Sequence, residues 1–426
     1  MFRLIAPTTS GLGGARSVLG CDVKERKRLL LVTPRFPFPP VSGERLRIFH
    51  LIRLLQREFD VVLLAQGNPR AEDVDALRQA TGIQDIRCFS RTLPGSLAGA
   101  LAAGLKGQPL QVGYFDCRAQ AEAVVEALKD VDVVIFHLVR TSGMKPDRID
   151  IPSILEMCDA LSANYAQTAR EGPLFSPWRI VSQIEASRLL EFERSESRRY
   201  DLVSLHTAKD AERIGLGADS LLVSTQGVDL SGLDYVAPDD RQGRSIALVG
   251  RVDFFPNKQS VLWFAKHVLP ALPQDMTLKV IGDCSPKLKR RLEALPRVVV
   301  TGRVASIGAA CADCFAAVAP MRVATGIQNK VLEYFAMGLP SVLSPSVASG
   351  LLKEAEGGYQ VADVQDGLEW ARLLMAVAER PASYGEQTEI ARRYAIEMHS
   401  WDRIGADYIA RIRSLIGGGQ PAALDN

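Results

Sequence analysis

Short apolar, β-branched runs alternate with longer amphipathic stretches along the first 240 residues. Arg28–Thr33 (RLLLVT), Asp60–Ala65 (DVVLLA), Val131–Phe136 (VDVVIF), Ser153–Met157 and Leu202–His206 carry few polar residues and read as strands buried on both faces. Between them lie helical patterns such as Glu44–Glu58 (ERLRIFHLIRLLQRE), where Leu46, Phe49, Ile52, Leu54 and Leu55 fall near helical spacing. That alternation predicts an α/β protein with parallel sheets covered by helices on both faces.

A second series follows the polar link Ala237–Ser245 (APDDRQGRS). Its strands are Ile246–Val249, Leu278–Ile281, Val298–Thr301, Phe315–Ala319, Ser341–Leu343 and Tyr359–Val361. The chain therefore divides into a tail at 1–25, a doubly wound domain at 26–240 and a second at 241–390. A last helix occupies 391–416, within a helical stretch from Glu386 that breaks around His399 and Ser400, and a tail follows at 417–426.

Composition narrows the class. The 426 residues are 47% hydrophobic and 23% charged, enough for sizeable cores, which excludes a disordered chain or a disulfide mini-scaffold. Fifty-one Lys and Arg against 49 Asp and Glu give a net charge of +2, no basis for a nucleic-acid partner. No apolar run approaches the ~18–20 residues of a membrane span. Seven scattered cysteines read as reduced thiols of a cytoplasmic protein. Cys311-Ala-Asp-Cys314 lacks the second Cys or His pair of a zinc site, so no metal is expected there.

Ligands of open α/β sheets sit at the carboxyl ends of the strands. The first strand runs into Pro34–Gly43 (PRFPFPPVSG), a stiff loop that brings backbone N–H groups near Gly43 to the cleft. His137 ends the strand DVVIFH and Asp159 follows the next one. Asp130-Val131-Asp132 has a metal-binding look but lies at an amino end, and Gly11-Leu12-Gly13-Gly14 precedes the first strand instead of following it; neither is a site.

In the second domain, Gly250-Arg251 ends the first strand and leads through Asn257 to Lys258 at the next helix. The segment Ala319–Pro340 (APMRVATGIQNKVLEYFAMGLP) predicts a helix opening at Gly326. The N–H groups of Gly326, Ile327 and Gln328 would form an anion-binding end. Asn329 and Lys330 follow, and Glu333 would lie roughly 10 Å along the axis, within reach of a ribose attached to a diphosphate.

These segments resemble the retaining glycosyltransferases of family 4, the group 1 glycosyltransferases. The resemblance rests on the Pro-rich loop with Gly43 and Arg47, on DVVIFH, on Thr225–Asp229, on Leu248–Arg251, Val280–Asp283 and Val300–Arg303, and above all on Gly326–Pro340. It implies a GT-B fold, two Rossmann-like domains facing across a nucleotide-sugar cleft, with the last helix crossing back. It also implies roles. Glu333 would hold the nucleotide ribose, Arg251 and Lys258 the leaving diphosphate, and His137 would stand by the transferred sugar. Gly43 would approach the donor, and Arg47 would face the acceptor. Thr325 stands where the family often carries a second glutamate.

The activity so implied is transfer of a sugar from a nucleotide-sugar with retained configuration, without a metal or other cofactor. The acceptor would be a glycan or lipid-linked molecule of bacterial polysaccharide or glycolipid synthesis. The alternatives are a nucleotide-sugar epimerase and a non-catalytic nucleotide-sugar-binding partner. Residues 24–57 hold nine Lys or Arg against two Glu, a basic front suited to an anionic membrane surface at the inner face of the cytoplasmic membrane.

Overall fold

The structure is a computed structural model and describes residues 26–40, 43–171, 177–324 and 326–417. The tail expected at 1–25, residues 418–426 and Thr325 lie outside the described residues. The first sheet contains β1 (Arg28–Thr33), β2 (Asp60–Gln66), β3 (Asp85–Phe89), β4 (Val133–His137), β5 (Ser153–Cys158), β6 (Leu202–Leu205) and β7 (Leu221–Val223), in the order β3-β2-β1-β4-β5-β6-β7. The second contains β8 (Ser245–Val249), β9 (Thr277–Ile281), β10 (Val298–Gly302), β11 (Cys314–Ala319), β12 (Ser341–Leu343) and β13 (Gln360–Val361), ordered β10-β9-β8-β11-β12-β13. Neighbouring strands pair parallel throughout.

The period of two explains why both faces need helices. Leu29 and Leu31 of β1 pack into one core with Val61, Leu63 and Ala65 of β2. Leu30 and Val32 pack into the opposite core with Val62 and Leu64. The second sheet repeats this, with Ile246 and Leu248 on one side and Ala247 and Val249 on the other. Strands β3 and β7 escape the hydrophobic pattern because they are edges. Asp85–Phe89 (DIRCF) is only partly buried, and Leu221–Val223 is three residues long. Cys311 and Cys314 are buried free thiols.

The C-terminal helical stretch is two helices. Gly385–His399 places Ala391, Tyr394 and Ala395 in the second domain's core against Val331 and Phe335. Trp401–Ile416 buries Tyr408 and Ile412 in the first domain's core with Leu51 and Leu55. The return to the first domain thus begins at Ser400, whose extended backbone caps the second helix, later than the 391 read from the sequence.

The outgoing link lies beside this return. The Val228 N–H donates to the His399 carbonyl at 2.8 Å, and a parallel bridge joins Val228 to Ser400. Gly227 lies flat on the Trp401 ring: a Cβ there would come within 2.4 Å of the indole. Trp401 stacks on His50 with 4.5 Å between centroids.

Beneath this junction lies Arg47, on the helix Gly43–Leu55. Its guanidinium donates to Ser224 Oγ at 2.7 Å and to the Thr225 carbonyl at 2.6 Å, and pairs with Glu156 Oε2 at 3.3 Å. Both charged groups are fully buried. Burial disfavours each charge, but their mutual attraction wins, holding Glu156 below the ordinary carboxylate value and Arg47 above the ordinary guanidinium value. Arg47 therefore does not face an acceptor, as the sequence reading had it; a helix register that buries Ile48, Leu51 and Leu55 carries it inward to the domain junction.

Replacing either partner strands a buried charge. Arg47→Met and Glu156→Met should each lose about 3–5 kcal/mol, and the double variant should regain most of that loss. Denaturant midpoints of the four proteins test this; single variants as stable as the parent would remove Arg47 from its anchoring role.

Candidate active site

On the second-domain side, three segments converge at the carboxyl end of β8. Gly250 has φ +142°, and a Cβ on it would lie 2.8 Å from Asn257 Nδ2 and 3.4 Å from Lys330 Nζ. Asn257 sits in the first turn of the helix Phe255–His267 and is oriented by donating to the Arg251 carbonyl at 2.9 Å. Its other amide atom accepts from Lys330 Nζ, which also contacts Met321 Sδ at 3.4 Å. Lys330 is buried, not solvated.

The helix carrying Lys330 spans Asn329–Ala336. It does not open at Gly326, as the sequence suggested: Gly326 has φ +59°, and Gln328 is the N-cap with extended backbone. Gly326, Ile327 and Gln328 therefore form a loop leading to the helix, and Glu333 lies only one turn beyond its start. Tyr334 fixes this helix against the sheet, accepting the Val249 N–H at 2.7 Å and donating to the Val318 carbonyl at 3.4 Å. Burial raises half-buried Glu333 to about 7, opposed by Lys330 one turn away. Burial also lowers Lys330 to about 8, opposed by Glu333.

The facing wall comes from the first domain. A cleft is lined there by Glu44, Arg140, Asp159, Asn164 and His206, with Gly43 at its edge, and by Ile327 and Asn329 from the second domain. Asp159 Oδ1 lies 3.1 Å from His206 Nδ1. Burial would raise Asp159, but His206 outweighs it and holds the carboxyl below its ordinary value. The two domains touch where Gly326 abuts this carboxylate; a Cβ on Gly326 would be 2.8 Å from Asp159 Oδ1. Glu44 takes Arg140 at 3.3 Å and also Arg35. Leu138 and Cys158, both with φ 64°, kink the ends of β4 and β5 into the cleft.

His137 lies one residue behind this wall. It is buried, with burial lowering it to about 4, so the ring is neutral near pH 7. Its Nδ1 has no hydrogen-bond partner among the described residues. Arg251 is exposed on the turn after Gly250, and Lys258 is half-buried next to Asn257. Asp132 braces the amino ends of β1 and β4, accepting the Arg28 N–H at 2.8 Å.

Four of these cleft residues were missed by sequence reasoning: Glu44, Arg140, Asn164 and His206. His206 had a signal, since it directly follows the carboxyl end of β6 much as His137 ends β4. Glu44, Arg140 and Asn164 had none, because their place on the cleft depends on how the segments after β1, β4 and β5 pack. Glu156, Cys158 and His206 also bring potential ligand atoms within 4.8 Å of one another, but Arg47 already neutralises Glu156 there.

The basic front read from residues 24–57 is not one surface. Arg26, Arg28, Arg53 and Arg57 gather at the amino ends of the strands among Asp60 and Asp85, whereas Arg35 and Arg45 lie in a groove at the opposite rim. Arg47 is buried. Alternation of strand and helix sends neighbouring cations to opposite ends of the sheet. Among the described residues, no helix is long and apolar enough to cross a membrane.

Residues 243–378, which contain Gly250, Asn257, Lys330 and Glu333, match the family model described as Glycosyl transferases group 1. This match lies within the second domain. The whole chain is similar in structure to Anabaena HepE in complex with UDP, at TM-score 0.65 and 16% identity over 91% of this chain and 100% of that one. It is similar as well to sucrose-phosphate synthase from Thermosynechococcus elongatus, at TM-score 0.64 and 14% identity over 92% and 100% of the two chains. A third such structure, the E. coli trehalose-6-phosphate protein bound with UDP-2-fluoro glucose, gives TM-score 0.61 and 12% identity over 91% and 99%. No curated protein sequence matches. The two-domain arrangement is the GT-B fold.

The close packing at Gly250 generates a test. Gly250→Ala should destabilise the protein by about 1–3 kcal/mol, through its backbone angle and through the displaced Asn257. Gly67→Ala, at φ +144° with the nearest atom, Phe36 Cβ, 3.4 Å from the added Cβ, supplies the backbone cost alone. Equal losses in thermal unfolding would show that the Asn257 contact is unimportant.

Proposed function

We propose that the protein transfers a glycosyl group from a nucleotide-sugar to a glycan or lipid-linked acceptor, with retention at the anomeric carbon. The observation that carries this reading is the Gly250–Asn257–Lys330 cluster, with Glu333 one turn on from Lys330, at the start of the helix whose Asn329, with Ile327 just before it, shares a cleft with Asp159 and His206 of the other domain. Neighbouring folds that hold UDP or UDP-glucose support the choice of donor class.

In this reading Glu333 accepts the ribose hydroxyls, and the loop Gly326–Gln328 with Asn329 presents N–H groups to the diphosphate. The bond between the anomeric carbon and the diphosphate oxygen breaks, and its electron pair stays on that oxygen. Lys330, Arg251 and Lys258 oppose the charge that develops there, the task a metal performs in other sites. The acceptor hydroxyl attacks from the same face, and its proton passes to the leaving phosphate oxygen. Neutral His137 and Leu138 shape the sugar side of the pocket, and Gly43 leaves room for the donor. Asp159 and His206 line the acceptor side. The dry setting strengthens each of these interactions.

The decisive experiment supplies nucleotide-sugars with candidate glycan and lipid-linked acceptors and analyses the products by mass spectrometry and anomeric NMR. A glycosylated acceptor of retained configuration is expected. An epimeric nucleotide-sugar, or nucleotide binding with neither product, would replace this reading by the epimerase or the non-catalytic one.

Glu333 also predicts a pH signature. Ribose recognition needs the carboxylate, so nucleotide affinity should rise about fivefold from pH 6 to pH 7 as Glu333 ionises, below the range in which Lys330 loses its charge. Glu333→Gln should flatten that profile, and Glu333→Ala should weaken binding about a hundredfold. Calorimetric titration reads both; unchanged affinity in Glu333→Ala would place the nucleotide elsewhere.

A further inference from the structure

The helix Leu93–Leu105 (LPGSLAGALAAGL) is built inside out. Its small residues face the protein: Ser96 and Ala103 are buried, and Gly99 meets Gly113 of the helix Leu110–Phe115 backbone to backbone. A Cβ on Gly99 would fall 2.4 Å from the Gly113 carbonyl oxygen, so no larger side chain fits inward. Its leucines face out. Leu93, Leu97, Leu101 and Leu105 are 63%, 56%, 65% and 82% exposed. Recurring every fourth residue, they form a ridge roughly 18 Å long. Nothing in the packing calls for leucine there; polar side chains would leave the buried face unchanged.

The neighbouring helix carries further exposed apolar side chains, and the flanks of the ridge carry charge. Glu185 accepts the Leu110 N–H at 2.8 Å, which sets the helix Pro177–Ser197 beside this pair. Ile180 and Ile184, on the two turns before Glu185, are exposed. From Ser90 to Phe115 the chain contains no Asp or Glu, while exposed Lys106 ends the ridge and half-buried Arg91, which donates to Ser96 Oγ and the Tyr114 carbonyl, begins it. At its start Arg91 joins Arg35 and Arg45 in a groove that also holds Asp73. Arg91 follows the carboxyl end of β3, so the ridge leaves from the same rim of the sheet as the cleft.

We infer that this ridge docks the protein on an anionic lipid bilayer. The leucines enter the acyl boundary, and the flanking cations meet the headgroups. A second copy fits less well, since pairing two ridges would oppose cation to cation at both ends. The surface stands apart from the sugar-transfer reading, because docking needs no donor.

The test is flotation of the full-length protein with vesicles of phosphatidylcholine containing about one-third phosphatidylglycerol, beside pure phosphatidylcholine. The parent should bind the anionic vesicles and bind pure phosphatidylcholine more weakly. Leu97→Glu with Leu101→Glu should reduce binding at least tenfold. Thermal unfolding and nucleotide-induced stabilisation should not change, as both positions are exposed. Should that variant misfold, Leu93→Ser with Leu105→Ser makes the same measurement with a smaller loss. Failure of the parent to bind anionic vesicles, or equal binding by a folded variant, overturns the inference. So does a dimer in light scattering that the leucine substitutions abolish.

Discussion

One buried guanidinium holds the junction between the two domains. The chain passes between them twice, at 224–229 and at 399–401, and the crossings run side by side through the Val228–His399 hydrogen bond and the Val228–Ser400 bridge. Arg47 ties the outgoing crossing to β5 through Ser224, Thr225 and Glu156, and lies 5.8 Å from the Trp401 ring of the returning one. Two crossings held side by side in this way resist twist between the domains. An ion pair dissolved in water would contribute little; this one matters because neither charge can reach solvent.

The same strand carries the anchor and the cleft wall. Glu156 lies on β5, Cys158 ends it with a left-handed kink, and Asp159 then stands against Gly326 of the other domain. Anchor and contact are thus three residues apart at one strand end. Across the cleft, Tyr334 has the corresponding part. It locks the helix Asn329–Ala336 to β8 and β11, so Lys330 and Glu333 on that helix move with the second sheet as one body.

Most of the fold was legible because parallel strands buried on both faces leave continuous apolar runs, and the segments from Arg28–Thr33 to Ser341–Leu343 are of this kind. The edges β3 and β7 were not, since an edge strand need not be apolar on both faces. The position of site residues followed from strand ends, which located Gly250, Asp159 and the segment containing Lys330 and Glu333. Two readings failed for a shared reason. Arg47 and the helix start at Gly326 were judged from local sequence, whereas tertiary contacts decide both. Glu156 attracts Arg47 inward across 109 residues, and Asp159 meets the glycine that the helix leaves behind.

The proposed donor site is strained electrostatically until a ligand arrives. Burial moves Lys330 down to about 8 and Glu333 up to about 7, so each group is less charged near neutral pH than it would be in water. They lie one turn apart and offset each other only in part. A nucleoside diphosphate brings anionic oxygens and hydroxyl donors together in one molecule. The first stabilise the ammonium, the second the carboxylate, so binding on this reading drives the pair towards the charged state that transfer requires. Burying Lys330 and half-burying Glu333 costs free energy that a bound donor would offset. Such a site discriminates against water and against ligands that supply only one of the two partners.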